Sequence, residues 1–104
     1  MKVVAIVQAR MGSSRLPGKV LRKVNNQIVI DLLLKRLSQS QSLDQIVVAT
    51  TSEPEDSKLV DFLSGHNIGI YRGSTDDVLD RYYNAALEAN AQVVIRVTGD
   101  CPLI

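Results

Sequence analysis

K-V-V-A-I-V-Q, at Lys2 to Gln8, is a short apolar run rich in β-branched residues. Such a run is typical of a strand that is buried on both faces of a parallel sheet. Gln45 to Thr51 and Gln92 to Thr98 have the same character, and Ile68 to Tyr71 shares it more weakly because it is short and contains a glycine. The four segments predict four strands.

Two helical patterns fall between the first three predicted strands. Ile28 to Ser38 has apolar residues on one broad face, which predicts a mostly buried helix. Ser52 to Glu55 has the S-x-x-E form of a capping box and predicts the start of a second helix. That helix is expected to end near Ser64, where Gly65 can take a left-handed conformation.

A third helix is predicted over Thr75 to Asn90, with Ser74 or Thr75 as its cap. Its apolar residues recur at helical spacing, and the Tyr82–Tyr83 pair is expected to pack in the core with one hydroxyl at the solvent. Apolar residues with this spacing are Leu79, Tyr82, Tyr83, Ala86 and Leu87. The order βαβαβαβ, without a hairpin signal, predicts an α/β fold with a parallel sheet and right-handed crossovers. Ala9 to Gln27 is expected to be non-regular.

Composition limits both the architecture and the partners. The chain has 104 residues, which is one domain, and 12 Lys and Arg against 11 Asp and Glu give a net charge of +1. Without a larger basic excess, nucleic acid and anionic membrane surfaces are not expected partners. Cys101 and His66 are the single residues of their types, so an internal disulfide and a Cys/His zinc cluster are excluded. With Val3 to Val7 too short for a signal peptide or membrane span, we expect a cytoplasmic chain.

Basic residues are concentrated at the start of the chain. Residues 1–23 contain six of them and no acidic residue; they are Lys2, Arg10, Arg15, Lys19, Arg22 and Lys23. A local cationic segment in a nearly neutral domain predicts a small anionic ligand. The alternative is a solvated basic face.

The loop Q-A-R-M-G-S-S-R-L-P-G-K follows the first predicted strand, where open parallel sheets bind their ligands. It combines glycines for close backbone approach, hydroxyls and cations that suit phosphate oxygens. These residues are Gly12, Ser13, Ser14, Gly18, and the cations Arg10, Arg15 and Lys19. The loop differs from a Walker A motif, since five residues separate its glycines and Val20 replaces the Ser or Thr. A plain surface crossover is the alternative.

Two further segments follow predicted strands at the same edge. Asp100, after a strand expected to be central, is the candidate ligand for Mg²⁺, which prefers carboxylate oxygen; the alternative is a turn Asp. Arg72 to Asp77 could offer hydroxyls and amides to a base or ribose, or could be a helix cap. His66, next to a predicted helix end, is expected to be a surface or capping residue. Cys101 has no histidine in a matching motif, so a nucleophilic role is disfavoured.

Four motifs together resemble the cytidylyltransferases that activate acidic sugars, among them the CMP-Kdo and CMP-sialic acid synthetases, and above all the SpsF-like spore-coat polysaccharide branch. The motifs are Q-A-R-M-G-S-S-R-L-P-G-K (Gln8 to Lys19), V-A-T (Val48 to Thr50), R-G-S-x-x-D-V-L-x-R (Arg72 to Arg81) and T-G-D-C-P-L-I (Thr98 to Ile104). The resemblance implies a Rossmann-like, three-layer sheet of the nucleotide-diphospho-sugar transferase type. It covers residues 1–104, as the amino-terminal, nucleotide-binding part of a longer domain.

The resemblance also implies roles for residues. Arg10 is expected near the α-phosphate of CTP, with Ser14 nearby, and Arg15 and Lys19 near the leaving pyrophosphate. Cytosine is expected among Ala9, Thr50 and the Gly73–Ser74 segment, and Asp100 is expected to hold Mg²⁺. Gly99-Asp100-Cys101-Pro102 replaces the usual G-D-E-P, which leaves the particular sugar open.

The implied reaction transfers CMP from CTP to a sugar acid and releases pyrophosphate, in surface or spore-coat polysaccharide biosynthesis. Family members continue well beyond the position of Ile104, with the acceptor-sugar site and dimer contacts, so a homodimer is expected and the 104 residues alone are expected to be inactive. Two other functions stay open: a non-catalytic nucleotide-binding or interaction module, and a flavodoxin-like signalling domain. The last is disfavoured because Gln8, Ala9 and Arg10 stand where an acidic pocket is expected.

Overall fold

The computed structural model describes residues 1–11, 23–24 and 27–98, and this part of the chain forms one four-stranded parallel sheet. In chain order the elements are β1 (Val3–Gln8), β2 (Lys23–Val24), β3 (Gln27–Ile28), α1 (Val29–Ser38), β4 (Gln45–Thr51), a 3-10 turn (Pro54–Asp56), α2 (Ser57–Leu63), β5 (Gly69–Gly73), α3 (Val78–Glu88) and β6 (Val93–Thr98). The strand order across the sheet is β5-β4-β1-β6. Val7 of β1 is therefore paired with Val48 on one side and with Val97 on the other. The predicted α/β fold is confirmed.

Side chains of β1 and β4 alternate between two cores, which makes the sheet the middle of three layers. On one face, Val7 and Val48 pack with residues of α1 and α2, including Ile30, Leu33 and Leu59. On the other face the packing is against α3, in a cluster of Val4, Ile6, Val47, Ala49, Tyr82, Ala85 and Ala89. Because successive strand residues point to opposite faces, an unbroken apolar run is what two covered faces require.

The second helix begins differently from its prediction. The capping box at Ser52 does not form, because the chain turns through the 3-10 segment first and α2 begins only at Ser57. Gly65 does not adopt the expected left-handed conformation. The end of α2 instead closes through short-range bonds, with the His66 amide donating to the Leu63 carbonyl at 2.9 Å. Bonds of this kind satisfy terminal carbonyls without a left-handed residue.

The third helix is shorter than predicted and buries a different face. Its cap is Asp77, whose carboxylate accepts the Asp80 amide at 2.9 Å. Tyr82 is buried, as expected for a core tyrosine, but Leu79, Tyr83 and Leu87 are exposed, at 67%, 63% and 56%. The prediction that Tyr83 packs in the core is therefore wrong. α3 faces the sheet through Tyr82 and small alanines, and the stripe of larger residues points away from it.

Two expectations about sheet structure are corrected. β2 and β3 form a short antiparallel pair inside the segment that was expected to be non-regular and free of hairpins. β6 was expected to be central, but within the described residues it pairs only with β1 and lies at one side of the sheet. Its residues Val93 to Ile95 are partly exposed as a result.

The side of the sheet where the strands begin, here called the amino edge, is closed by hydrogen bonds from residues 2–3, 44, 89 and 92. The amides of Lys2 and Val3 donate to side-chain oxygens of Gln92 and Asp44, at 2.8 and 2.7 Å. The Lys2 ammonium donates to the carbonyl of Ala89 at 2.6 Å. No helix in the described ranges has the length and apolar character needed to cross a membrane.

Candidate functional site

The strands β1, β4 and β5 end side by side, and the residues that follow them form what is here called the carboxyl edge: residues 9–11, 50–57 and 72–81. The Ala9 amide donates to the Ala49 carbonyl at 3.2 Å, which extends the pairing of β1 with β4. The Ser52 amide donates to the Gly73 carbonyl at 3.3 Å and links β4 to β5 in the same way. Backbone contacts thus hold the three strand ends together where a parallel sheet binds its ligands.

Five of the predicted site residues lie in the described part of the carboxyl edge: Ala9, Arg10, Thr50, Gly73 and Ser74. The others are outside the described residues: Gly12, Ser13, Ser14, Arg15, Lys19 and Asp100. The topology therefore brings the described members together at one end of the sheet, although the sequence separates Arg10 from Gly73 by more than half of the chain.

Thr50 is fully buried at the end of β4, and its hydroxyl oxygen has no hydrogen-bond partner within the described part of the chain. Buried hydroxyls are nearly always paired, by protein or by a bound molecule. A hydroxyl available at the floor of the carboxyl edge fits the prediction that Thr50 contacts a ligand.

Asp56 holds Met11, which belongs to the loop Gln8 to Lys19 after β1, here called the basic loop. Its carboxylate is almost fully buried and accepts two hydrogen bonds, one from the Met11 amide at 2.6 Å and one from the Thr51 hydroxyl. The Thr51 hydroxyl oxygen also accepts the Glu53 amide at 3.2 Å. Asp56 thus ties the residue that begins the loop after β1 to the end of β4. Sequence reasoning missed it, since nothing local marks a carboxylate whose partner is 45 residues away.

Arg72 braces the end of β5 against the turn after β4. Its guanidinium donates to the carbonyls of Thr51 and Glu53, both at 2.8 Å, and to the Ser57 hydroxyl at 3.4 Å. Nε and Nη2 of Arg72 thus both donate to backbone carbonyls of the turn after β4. Arg72 therefore stabilises the shape of the carboxyl edge.

Contacts within the chain explain why residue 73 is a glycine and residue 74 a serine. A Cβ at Gly73 would lie 2.7 Å from the Tyr71 ring and 3.2 Å from Cγ of Arg81, so there is no room for a side chain. The Ser74 hydroxyl accepts the Asp77 amide at 3.1 Å, so Ser74 orders the turn before α3, while the cap is Asp77 and not the predicted Ser74 or Thr75. The prediction that Gly73 and Ser74 bind nucleotide stays a prediction.

Arg81 is the second residue that sequence reasoning missed. It is 1% exposed, and its Nη1 donates to the carbonyl of Ser74 at 2.7 Å. Burial lowers the pKa of its guanidinium from the usual value, and the positive charge of Arg10 lowers it further, while Tyr82 and Asp56 act in the opposite direction. The Arg81 charge is therefore close enough to those of Arg10 and Asp56 to interact with both.

The prediction of a magnesium ligand is not tested by the described residues. They contain no cluster of three or more His, Cys, Asp or Glu side chains that could hold a metal ion. Asp56 is the buried carboxylate at the carboxyl edge, and both of its oxygens already accept hydrogen bonds from Thr51 and Met11. The expected magnesium ligand, Asp100, lies outside the described residues.

Comparisons with known proteins show which family the chain matches. Residues 4–104 match the family model described as cytidylyltransferase. The spore coat polysaccharide biosynthesis protein SpsF of Bacillus subtilis is 38% identical over 106 residues, which cover 98% of this chain and 44% of that protein.

Two solved structures share the fold along the whole chain. A cytidylyltransferase from Leptospira borgpetersenii superposes with a TM-score of 0.93 at 40% identity, covering 100% of this chain and 44% of that one. A CMP:2-keto-3-deoxy-manno-octonic acid synthetase, solved in complex with CTP, has a TM-score of 0.84 at 26% identity, with 100% of this chain and 42% of that one covered. The chain spans less than half the length of each of these three proteins.

Proposed function

The chain belongs to the cytidylyltransferase family, and we propose that it is the nucleotide-binding part of an enzyme that transfers CMP from CTP to a sugar acid and releases pyrophosphate. The observation that carries the proposal is the carboxyl edge itself. There, Arg10 and the buried hydroxyl of Thr50 lie at the ends of neighbouring parallel strands, and the buried side chain of Arg81, on α3, packs against Gly73 at the end of β5. Cytosine and the sugar acid are proposed from the relatives, one of which is a synthetase complexed with CTP.

In the proposed reaction a hydroxyl of the sugar acid attacks the α-phosphorus of CTP, a new P–O bond forms, and pyrophosphate leaves with the electrons of the broken bond. The hydroxyl proton passes to solvent. No protein residue needs to form a covalent intermediate. The chain contributes position and charge: Arg10 near the α-phosphate, and Arg15 and Lys19 near the leaving pyrophosphate.

Asp56 supports this chemistry indirectly. Cations in a loop stabilise a phosphate only if the loop is held at the right place, and the short hydrogen bond from the Met11 amide to Asp56 fixes the start of that loop. We assign Asp56 the role of positioning the loop, without direct contact with the nucleotide.

The nucleotide part of the proposal is tested by calorimetric titration of the chain with CTP, UTP, ATP and GTP in the presence of Mg²⁺. We expect CTP to bind most tightly. Equal affinities would contradict the assignment of cytosine, and failure to bind any of the four would contradict a nucleotide site.

The alternative of a non-catalytic nucleotide-binding module makes a different prediction. A transferase that contains this chain releases pyrophosphate from CTP only when a sugar acid is present, whereas a binding module releases none with any acceptor. Pyrophosphate release should therefore be measured with a panel of sugar acids, including 3-deoxy-manno-octulosonate, and with neutral sugars as the control. The pathway of surface or spore-coat polysaccharide and the cytoplasmic location belong to the same proposal, the former because of the SpsF relative.

Magnesium is part of the proposal through Asp100 alone. When bound, the ion would supply positive charge to phosphate oxygens. Asp100→Asn keeps the shape of the side chain and removes its charge, so we expect CTP binding to lose its dependence on Mg²⁺ while metal-free binding stays the same. The matched control is Asp61→Asn, at an exposed position of α2. Unchanged Mg²⁺ dependence in Asp100→Asn would make Asp100 a turn residue.

We also propose that the chain self-associates, in line with the expected homodimer. Two of its surfaces are apolar and exposed, Val93 to Ile95 on β6 and the stripe of Leu79, Tyr83 and Leu87 on α3. Exposed apolar patches of this kind are typical of interaction surfaces. Sedimentation velocity over a concentration series should show association, and a monomer at every concentration would contradict it.

A further inference from the structure

Arg81 has more hydrogen-bonding capacity than the described part of the chain uses. Arginine is seldom fully buried unless it is paired, yet Arg81 is 1% exposed and neither Nε nor Nη2 has a partner there. An unsatisfied donor on a buried charged group destabilises the fold, because the group has given up its hydrogen bonds to water. A structural role would not require the chain to leave two such donors open.

The geometry of the guanidinium defines what would satisfy it. Nη1 is occupied, since it donates to the carbonyl of Ser74 at 2.7 Å and to that of Thr75 at 3.4 Å. The two open donors, Nε and Nη2, lie on the same edge of the guanidinium plane and point in parallel. This edge matches two oxygens of one carboxylate or phosphate group.

The surrounding charges favour the same kind of ligand. Arg10 is a second cation whose charge acts on Arg81, and the two positive charges repel each other. Asp56 attracts Arg81 at a distance, but its own oxygens accept from Met11 and Thr51. Because Asp56 is already engaged, an anion bound at Arg81 would ease its repulsion with Arg10.

We propose that Arg81 binds a two-oxygen anionic group of a substrate through Nε and Nη2. The inference rests on the proposed function for the identity of the substrates, because the anion is either a phosphate of the nucleotide or the carboxylate of the sugar acid. It adds to that function a direct substrate contact from α3, whereas the other proposed phosphate contacts come from the basic loop.

The test uses Arg81→Lys, which keeps the charge and the stem that packs beside Gly73 but removes the two-pronged edge. Arg36→Lys, at an exposed position in the last turn of α1, is the control. Binding of CTP, of inorganic pyrophosphate and of 3-deoxy-manno-octulosonate in the presence of CTP is measured by calorimetry. We expect Arg81→Lys to lose about tenfold or more in affinity for one class of ligand, the loss of a charge-assisted hydrogen bond, and Arg36→Lys to lose none.

The ligands distinguish the two sources of the anion. A loss confined to CTP and pyrophosphate assigns Arg81 to a phosphate, and a loss confined to the sugar acid assigns it to the carboxylate. If the unsubstituted chain binds CTP and Arg81→Lys leaves all three affinities within twofold, the Arg81 inference is wrong and the proposed function stands. If the chain binds pyrophosphate in an Arg81-dependent way but does not bind CTP, the inference stands and the proposed function fails. No binding of any probe contradicts both.

A second measurement needs no folded variant. In the unsubstituted chain labelled with ¹⁵N-arginine, the Nε–H signal of Arg81 should shift on addition of the ligand that it binds. A signal that stays fixed while CTP, pyrophosphate or the sugar acid saturates the chain would overturn the inference, because a purely structural arginine has no reason to respond at Nε.

Discussion

The two ends of the sheet differ in how completely their polar groups are hydrogen-bonded. At the amino edge, the backbone amides that begin β1 are capped by Gln92 and Asp44, and the Lys2 ammonium is held by the end of the segment after α3. At the carboxyl edge, three side-chain atoms are buried without partners in the described part of the chain: Thr50 Oγ1, Arg81 Nε and Arg81 Nη2. A fourth such atom, Nδ1 of His66, lies outside both edges as defined here, in a ring that pairs with Asp31 through its other nitrogen at 2.9 Å.

This contrast indicates which end of the sheet is available to a ligand. At the amino edge, none of the described residues has a buried side-chain nitrogen or oxygen without a hydrogen-bond partner. The carboxyl edge keeps buried donors open, and such groups are costly unless a substrate completes them. A site that gains a ligand recovers that cost, so the contrast supports the carboxyl edge as the candidate site.

The largest expected effect is at Asp56. Asp56→Ala removes a buried carboxylate and leaves the Met11 amide and the Thr51 hydroxyl without their acceptor. We expect the free energy of unfolding to fall by about 3 kcal/mol, since two hydrogen bonds to a charged group are lost. Urea denaturation measures the change.

The matched control for Asp56 is Asp44→Ala at the amino edge. Asp44 also accepts a backbone amide, that of Val3 at 2.7 Å, but it is exposed, so water can replace it. Its cost should be clearly smaller. Equal costs for the two substitutions would mean that the carboxyl edge is no more dependent on its buried carboxylate than the amino edge is on its exposed one.

The next effect concerns ligand binding. Arg15→Ala should weaken CTP binding by about 1.5–3 kcal/mol, the value of a charge-assisted hydrogen bond, and should leave the midpoint of urea unfolding nearly unchanged. Arg36→Ala, on the exposed side of α1, removes the same charge from outside the carboxyl edge and should not alter binding. Calorimetry on both variants tests the loop. Equal affinities would remove Arg15 from the site.

The strands and the location of the site could be predicted from the sequence, for physical reasons. Buried parallel strands need continuous apolar runs, so Val3 to Gln8 and Gln45 to Thr51 were recognisable without the structure. Once the strands are parallel, their ends must meet at one edge, and that rule places the loop after Gln8 and the segment from Arg72 there; the roles of Ala9, Thr50 and Gly73 came from the family resemblance.

The sequence pattern could not predict which face of α3 is buried, which residues contact Asp56, or the order of the strands. The large apolar residues of α3 predicted a core of Leu79, Tyr83 and Leu87, but small alanines let the opposite face approach the sheet, and that rotation carries Arg81 inside. Asp56 is one acidic residue among several until the fold brings Met11 to it. Which strand lies outermost also depends on the order of strands, and β6 was for that reason misplaced at the centre.

The smallest expected effects come from two glycines on opposite sides of the sheet. Gly73 ends β5 at the carboxyl edge, where an added Cβ would be 2.7 Å from the Tyr71 ring. Gly73→Ala therefore forces Tyr71 or Arg81 to move, at an expected cost of about 1–2 kcal/mol in the free energy of unfolding.

Gly65 lies between α2 and the start of β5, with nothing within 4 Å of its added Cβ and no positive φ. Gly65→Ala should stabilise the chain by about 0.5 kcal/mol, because it restricts only the unfolded state. Urea denaturation of both variants gives the signs, and opposite signs are the required result. If Gly73→Ala were as harmless as Gly65→Ala, the Tyr71 ring and the Arg81 stem would not be packed against the end of β5, and the carboxyl edge would be looser than its contacts indicate.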